Sequence, residues 1–175
     1  MKKLIFISLL FSILSLSVSA QKPTKAEKAA QLEQEFQQTR QLIESNHFQF
    51  ELNRVYPQDG QDLSRFNPRG KFVITDSAAK GTLPFFGRAY SLPYGEGGGI
   101  EFDGVMKDQS LKIEHKKKRK ILIYRFSITA KNDTYQISME ISGGGNCSVN
   151  LNSNNRAQIS YSGTVSPVKD ETGKS

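Results

Sequence analysis

The sequence predicts a mainly β domain: a curled antiparallel sheet or small open barrel, built as a meander of hairpins, with one N-terminal α-helix packed against it. Three observations carry that reading. From Leu111 onward apolar residues recur at every second position, in runs separated by Asn, Asp and Gly, which is the pattern of half-buried strands joined by tight turns. Only residues 24–45 hold a helical period without Gly or Pro. With no second helix of any length, the crossovers that a parallel sheet requires have no material.

Residues 1–20 read as a signal peptide. Met1-Lys2-Lys3 is a short positive stretch, Leu4 to Leu16 is apolar except for serines, and Val18 and Ala20 place small residues where a signal peptidase needs them. The uncharged stretch Leu4–Ala20 has 17 residues, short of the ~20 of a spanning helix. Cleavage after Ala20 is expected, leaving a chain that is periplasmic or secreted. The single cysteine, Cys147, lies far from that point, so a lipoprotein is not expected, and one cysteine makes no internal disulfide.

Residues 21–46 form the helical segment. Thr24 and Glu27 have capping-box spacing, Ala29, Leu32, Phe36 and Ile43 make a thin apolar stripe, and Asn46 is a stop. The β-rich domain follows over 47–166. Phe48, Phe50 and Leu52 alternate with polar residues until Pro57, and residues 57–70 hold enough Pro and Gly for a loop. Lys71–Asp76 is a short strand, and the Gly and Pro residues of 83–104 interrupt any strand there. Leu111 and Ile113 then alternate up to a basic run. Leu122–Ala130, Tyr135–Ile141, Cys147–Leu151 and Ala157–Tyr161 are four further strands. Residues 167–175 are polar and are expected to be a disordered tail.

The formal charge of +7 is concentrated. Lys2 and Lys3 carry two charges and Lys116, Lys117, Lys118, Arg119 and Lys120 carry five, so the rest of the chain is balanced. That distribution argues against a nucleic-acid-binding face, which needs basic residues spread along a surface. The run itself fits a hairpin tip that either stays solvated or contacts an anionic surface such as lipid headgroups or acidic glycans.

Three segments resemble a known family. They are Ser45–Phe50 with Asn53-Arg54; Leu83–Ser91 with Pro93-Tyr94-Gly95 and Gly98–Phe102; and Asn132–Tyr135 with Ser153–Arg156 and Ile159–Gly163. Together they resemble the exported Bacteroidota proteins grouped as domain-of-unknown-function family 4251. The resemblance implies an envelope or secreted location and brings no activity, cofactor or catalytic residue. The basic run lies outside it.

The residues offer one candidate pocket. Arg88 sits among Phe85, Phe86, Tyr90 and Tyr94, and Arg54 and Arg156 lie at strand edges beside asparagines. Guanidinium groups pair with carboxylate or phosphate and stack on aromatic rings. If the three converge, they make an anion-recognising pocket with Tyr90 and Tyr94 as walls. The structural alternative is that the arginine pins an irregular loop by bonding its carbonyls. Gly95–Gly99 lacks the following helix and the Lys-Ser or Lys-Thr of a phosphate loop. His47 and His115 are isolated, and Cys147 keeps the phase of Val149 and Leu151, so no catalytic or metal site is expected.

The functional expectation is therefore a non-catalytic exported domain without a cofactor. Its partner would be a small anionic or amphipathic ligand, or another component of the envelope. The alternative is an interaction module that takes no small ligand and docks by its helix or basic hairpin. A hydrolase using Glu101 or Asp103, which share one strand face, ranks third.

Overall fold

The computed structural model describes residues 24–90, 98–116, 119–130 and 133–169. The signal-peptide segment, Tyr94, Lys117 and Lys118 lie outside them. One helix, α1 (Lys25–Glu44), precedes eight strands: β1 (His47–Pro57), β2 (Lys71–Thr75), β3 (Ala78–Leu83), β4 (Ile100–Lys116), β5 (Arg119–Thr129), β6 (Thr134–Ser142), β7 (Asn146–Ser153) and β8 (Ile159–Pro167).

The helix begins as its sequence dictates. The Thr24 N–H donates to Glu27 Oε2 at 2.7 Å and the Glu27 N–H donates back to Thr24 Oγ1 at 3.2 Å, a reciprocal cap that satisfies two of the first-turn donors. Farther along, Phe36, Thr39 and Ile43 are its buried residues, and Phe36 and Ile43 join the barrel core with Leu42 beside it. At the far end Asn46 takes a φ of 49°, a left-handed turn that asparagine tolerates. The Asn46 carbonyl then accepts the Asp76 N–H at 2.8 Å.

Every strand pairs antiparallel with the next, and β1 pairs with both β2 and β8, so the sheet closes into an eight-stranded barrel. Closure goes one step beyond the open barrel that the hairpin pattern suggests. An interior of this size is just wide enough for side chains to fill it, and aromatic residues do so. Phe50 stacks on Phe72 with ring centroids 5.0 Å apart, and Phe72, Phe102 and Tyr135 continue the chain at 5.9 and 6.2 Å. A second chain runs from Phe48 through Tyr124 to Phe126 at 6.1 and 5.6 Å. Each such contact adds about 0.5–1.5 kcal/mol beyond the burial itself. The wall is opposite in character, with Lys71, Lys80, Glu101 and Asp103 exposed on it. A membrane-spanning barrel has an apolar band outside and a polar lumen, so this barrel is built to face water.

Two glycines allow the strands to approach. An added Cβ at Gly81 would overlap the Phe72 Cβ, and one at Gly163 would overlap the Glu51 carbonyl oxygen and lie 2.7 Å from the Phe50 ring. Gly163 sits beside the register shift between Leu52 and Arg54, where β1 bends to meet β8. Asp76, in the turn between β2 and β3, takes a φ of 55°, and Asp108, at the irregularity inside β4, takes 52°.

The structure differs from the sequence reading in three places. Strand β3, Ala-Ala-Lys-Gly-Thr-Leu, has few strand-forming residues, yet both neighbours hold it. Strand β4 begins at Ile100 rather than Leu111. At the other end of the chain, Lys169 donates its N–H to Gln49 Oε1 at 3.5 Å and its ammonium to Glu51 Oε1 at 3.0 Å. The beginning of the expected tail therefore lies on β1 and buries Gln49, which alternation had placed in solvent.

Two measurements check this construction. Gly163→Ala should cost about 2–4 kcal/mol in urea unfolding, since nothing at that site can give way. Gly98→Ala, with no atom within 4 Å of its added carbon, should cost almost nothing. The second test is alkaline. Burial pushes the Tyr124 phenol from 10.0 up to about 12 and raises Tyr161 and the Cys147 thiol as well. Between pH 10 and about 12 an unfolded tyrosine ionises while folded Tyr124 keeps its proton, so stability must fall as pH rises through that window. Tyr124→Phe should make that fall shallower.

Candidate functional site

The sequence-derived pocket residues lie at one end of the barrel and on its wall. Pro84–Tyr90 leaves β3 and runs beside the β7–β8 connection. Ala89 bridges Arg156, the Tyr90 N–H donates to the Asn155 carbonyl at 2.8 Å, and the Ala157 N–H donates to the Arg88 carbonyl at 2.9 Å. Beneath them the Tyr161 hydroxyl donates to the Pro84 carbonyl at 2.9 Å. The Arg88 side chain is exposed, and Tyr90 is 62% exposed.

Arg156 is different. It is 5% exposed, and its Nη1 donates to the Gly98 carbonyl at 3.3 Å. Its Nε lies 3.8 Å from Asp133 Oδ2 without a hydrogen-bond partner, and its guanidinium carbon is 5.2 Å from the Phe85 ring centroid. Asp133 also accepts the Ser153 hydroxyl at 2.6 Å and the Thr134 N–H at 2.8 Å. One buried cation thus ties the β3–β4, β5–β6 and β7–β8 connections together. That is the carbonyl-pinning role weighed for Arg88, carried out by Arg156. Arg54, exposed on β1, has separate partners: a hydrogen bond to Tyr56, with Asp62 nearby, strengthens its hold on its proton. Arg88, Tyr90 and Arg156 therefore share adjoining segments, one of them buried, while Arg54 makes its contacts elsewhere.

The basic hairpin is partly neutralised by its own fold. The Lys116 ammonium donates to Glu140 Oε2 at 2.6 Å, reaching across β5 over Ile121. That isoleucine is only 8% exposed, although it shares the outer face of β5 with Arg119. Lys120 holds both oxygens of Glu33 on α1 at 2.9 Å and lies 5.7 Å from the Phe36 ring centroid. Hydrogen bonds from Gln37 and then from Lys120 hold the Glu33 carboxyl below its usual range. Arg119 is exposed.

A cavity of about 780 Å³ lies on the outer wall, across β1 to β4. Register sets its lining: Glu51 opposes Lys71, Lys71 opposes Thr82 and Thr82 opposes Glu101, while Val73, Lys80 and Asp103 form the next row. Arg69 and Gly70 close one end. Two of these neighbouring pairs, Glu51 with Lys71 and Lys80 with Asp103, are of opposite charge, the favourable order, and Lys80 meets Asp103 at 2.7 Å. The hydrogen bond that Lys80 donates to Asp103, and the negative charge of Asp103 and then of Glu101 nearby, raise the Lys80 pKa. Sequence reasoning placed Glu101 and Asp103 on one face but missed the groove, because it missed β3. The retrievable signal was the alternation of Lys71 and Val73, Lys80 and Thr82, and Glu101 and Asp103.

Among the described residues no three His, Cys, Asp or Glu side chains are grouped to hold a metal. Cys147 is buried with its thiol pKa raised by that burial, the reverse of an activated nucleophile.

Fold and site together define a small water-facing meander barrel with a charged groove on its wall. The chain belongs to the DUF4251 family, a domain of unknown function, whose model matches residues 30–165. It is similar to a DUF4251 family protein from Bacteroides eggerthii DSM 20697, known from a crystal structure at 1.95 Å resolution. The two share 23% identity and a TM-score of 0.55 over 79% of this chain and 91% of that one, a likeness in fold. No curated protein matches the chain.

Arg156→Met should lower stability by about 3–5 kcal/mol in urea unfolding, because Asp133 is left buried without its cation. Arg88→Ala should change it by less than about 0.5 kcal/mol, as a surface substitution does.

Proposed function

We propose that this chain is an exported, non-catalytic binding domain that uses the outer wall of its barrel. The observation that supports this most is the groove across β1 to β4, whose volume of about 780 Å³ falls in the range of ligand pockets. The barrel interior, by contrast, is occupied by Phe50, Phe72, Phe102 and Tyr135. A ligand therefore meets the wall and not the concave face.

The lining favours one ligand chemistry. Arg69, Lys71 and Lys80 face Glu51, Glu101 and Asp103 in the same groove, so a purely anionic molecule gains from one half and is repelled by the other. A ligand carrying both signs, such as a short peptide, meets complementary charge along its length, with Val73 beneath for an apolar group. The fold supports the second reading, docking through the hairpin, less well, since Lys116 and Lys120 are engaged with Glu140 and Glu33.

Calorimetric titration with a panel of zwitterionic peptides tests the groove. Thr82→Trp places a large ring at its centre on an exposed strand position, where aromatic residues are well accommodated. Binding to the native protein that disappears in Thr82→Trp, with an unchanged thermal midpoint, is the expected result. Equal binding by both proteins would remove the groove as the site.

A further inference from the structure

Strand β4 outruns its neighbour. β3 pairs with Ile100 to Val105, and beyond that point β4 has β5 on one side. Among the described residues no strand pairs with the other edge of Ser110–Lys116. Exposed edges are normally blunted by proline, by charged side chains and lysine above all, by a bulge or by inward-pointing charge. Here the irregularity falls earlier, between Lys107 and Ser110, and residues 110–116 contain no proline. Their charges, Lys112, Glu114 and Lys116, lie on the outer face and are of both signs, while Leu111 and Ile113 share the inner face with Leu122 and Tyr124. Ile113 is 41% exposed.

We propose that this edge pairs with the same edge of a second copy, antiparallel, across a two-fold axis through Ile113, so that the sheet continues from one barrel into the next. An axis normal to the sheet joins residues of the same face, which leaves few possible centres. Centring on Lys112 or Glu114 sets like charges against each other at the axis. Centring on Leu111 puts Lys112 opposite Ser110, with no opposite charge for it. Centring on His115 sets Glu114 against Lys116 but carries the pairing into the hairpin turn and opposes Ile113 to a lysine. At Ile113 the fit is complementary. The two isoleucines cover each other, Lys112 of each copy faces Glu114 of the other, and Leu111 faces His115. Opposite charges directly across an antiparallel pair stabilise it and like charges destabilise it, so this register is favoured, and it is the one that also sets Ile113 against Ile113.

Sedimentation velocity of the purified protein over a concentration series should show a reversible monomer–dimer equilibrium. Lys112→Glu alone, or Glu114→Lys alone, turns two attractive pairs into two repulsive ones and should weaken the dimer about tenfold. The double variant exchanges the signs and should restore the dimer. Ile113→Cys should form a disulfide-linked dimer under mild oxidation, since the two positions face each other, whereas Ser110→Cys should not; the native Cys147 is buried and does not compete. A monomer at every concentration overturns the proposal. So does a dimer indifferent to the single reversals, or a double variant no better than the singles.

Discussion

The pairing of β1 on both of its edges is the constraint on which the rest of this molecule depends. Without the β1–β8 ladder the eight strands would be an open, twisted sheet with a wet concave face. With it, they enclose a space that the side chains themselves must fill. Closure requires β1 to bend, and it does so at the Leu52–Arg54 register shift, where Gly163 lets the Glu51 backbone and the Phe50 ring come close. The aromatic chains fill that interior together with aliphatic residues such as Ile74, Leu122, Ile128 and Ile137, their rings held in tilted and stacked pairs. Closure thus decides where chemistry can occur. What remains accessible is the wall and any strand that projects past its neighbour.

The ends and the wall are treated differently. One end is closed by a buried ion pair, Arg156 with Asp133, together with the Pro84–Tyr90 segment. The residual Nε donor and the cost of burying two charges mean that this pair adds little to net stability compared with an apolar replacement. Its value is in geometry: a guanidinium has donors in several directions and can hold three connections that share no sequence proximity. The groove on the wall spends its charges in the opposite way. Lys80 and Asp103 meet in solvent, where an ion pair contributes little to folding, and so they remain available to a ligand that offers better partners.

Much of this was legible in the sequence. Strands β6 to β8 declare themselves by period two, because each has one face in the core and the other at least partly open to water. Strand β5 keeps the period on its inner face, with Ile121 and Ile123 also buried on the other. The helix shows its start in Thr24 and Glu27. β3 was illegible for a physical reason: Gly81 is small because Phe72 of β2 presses on it, and Ala79 is a small residue buried in the core. Small residues read as loop in one dimension and as tight packing in three. Gln49 was misplaced for a related reason, since its cover comes from Lys169 and Ser166, more than a hundred residues away. Arg156 carries no local signal at all. It looks like an exposed strand-edge cation until Asp133 is brought beneath it by two intervening strands. The basic run misleads in the same direction, for its partners Glu33 and Glu140 lie on other elements.

These contrasts bear on where function can reside in such a barrel. A buried pair such as Arg156 and Asp133 is specified by the fold and changes only with it, whereas the groove's charges are exposed and can vary without loss of the core. The sheet therefore separates two demands along each strand: inner residues set closure, and outer residues, one position away, set what the wall recognises. In β2 to β4 that division falls within adjacent positions, Phe72 beside Lys71 and Val73, and Phe102 between Glu101 and Asp103. A single-residue slip would exchange them. The core thus fixes the register that lines the groove, and recognition on this wall depends on the same closure at β1 that excludes ligands from the interior.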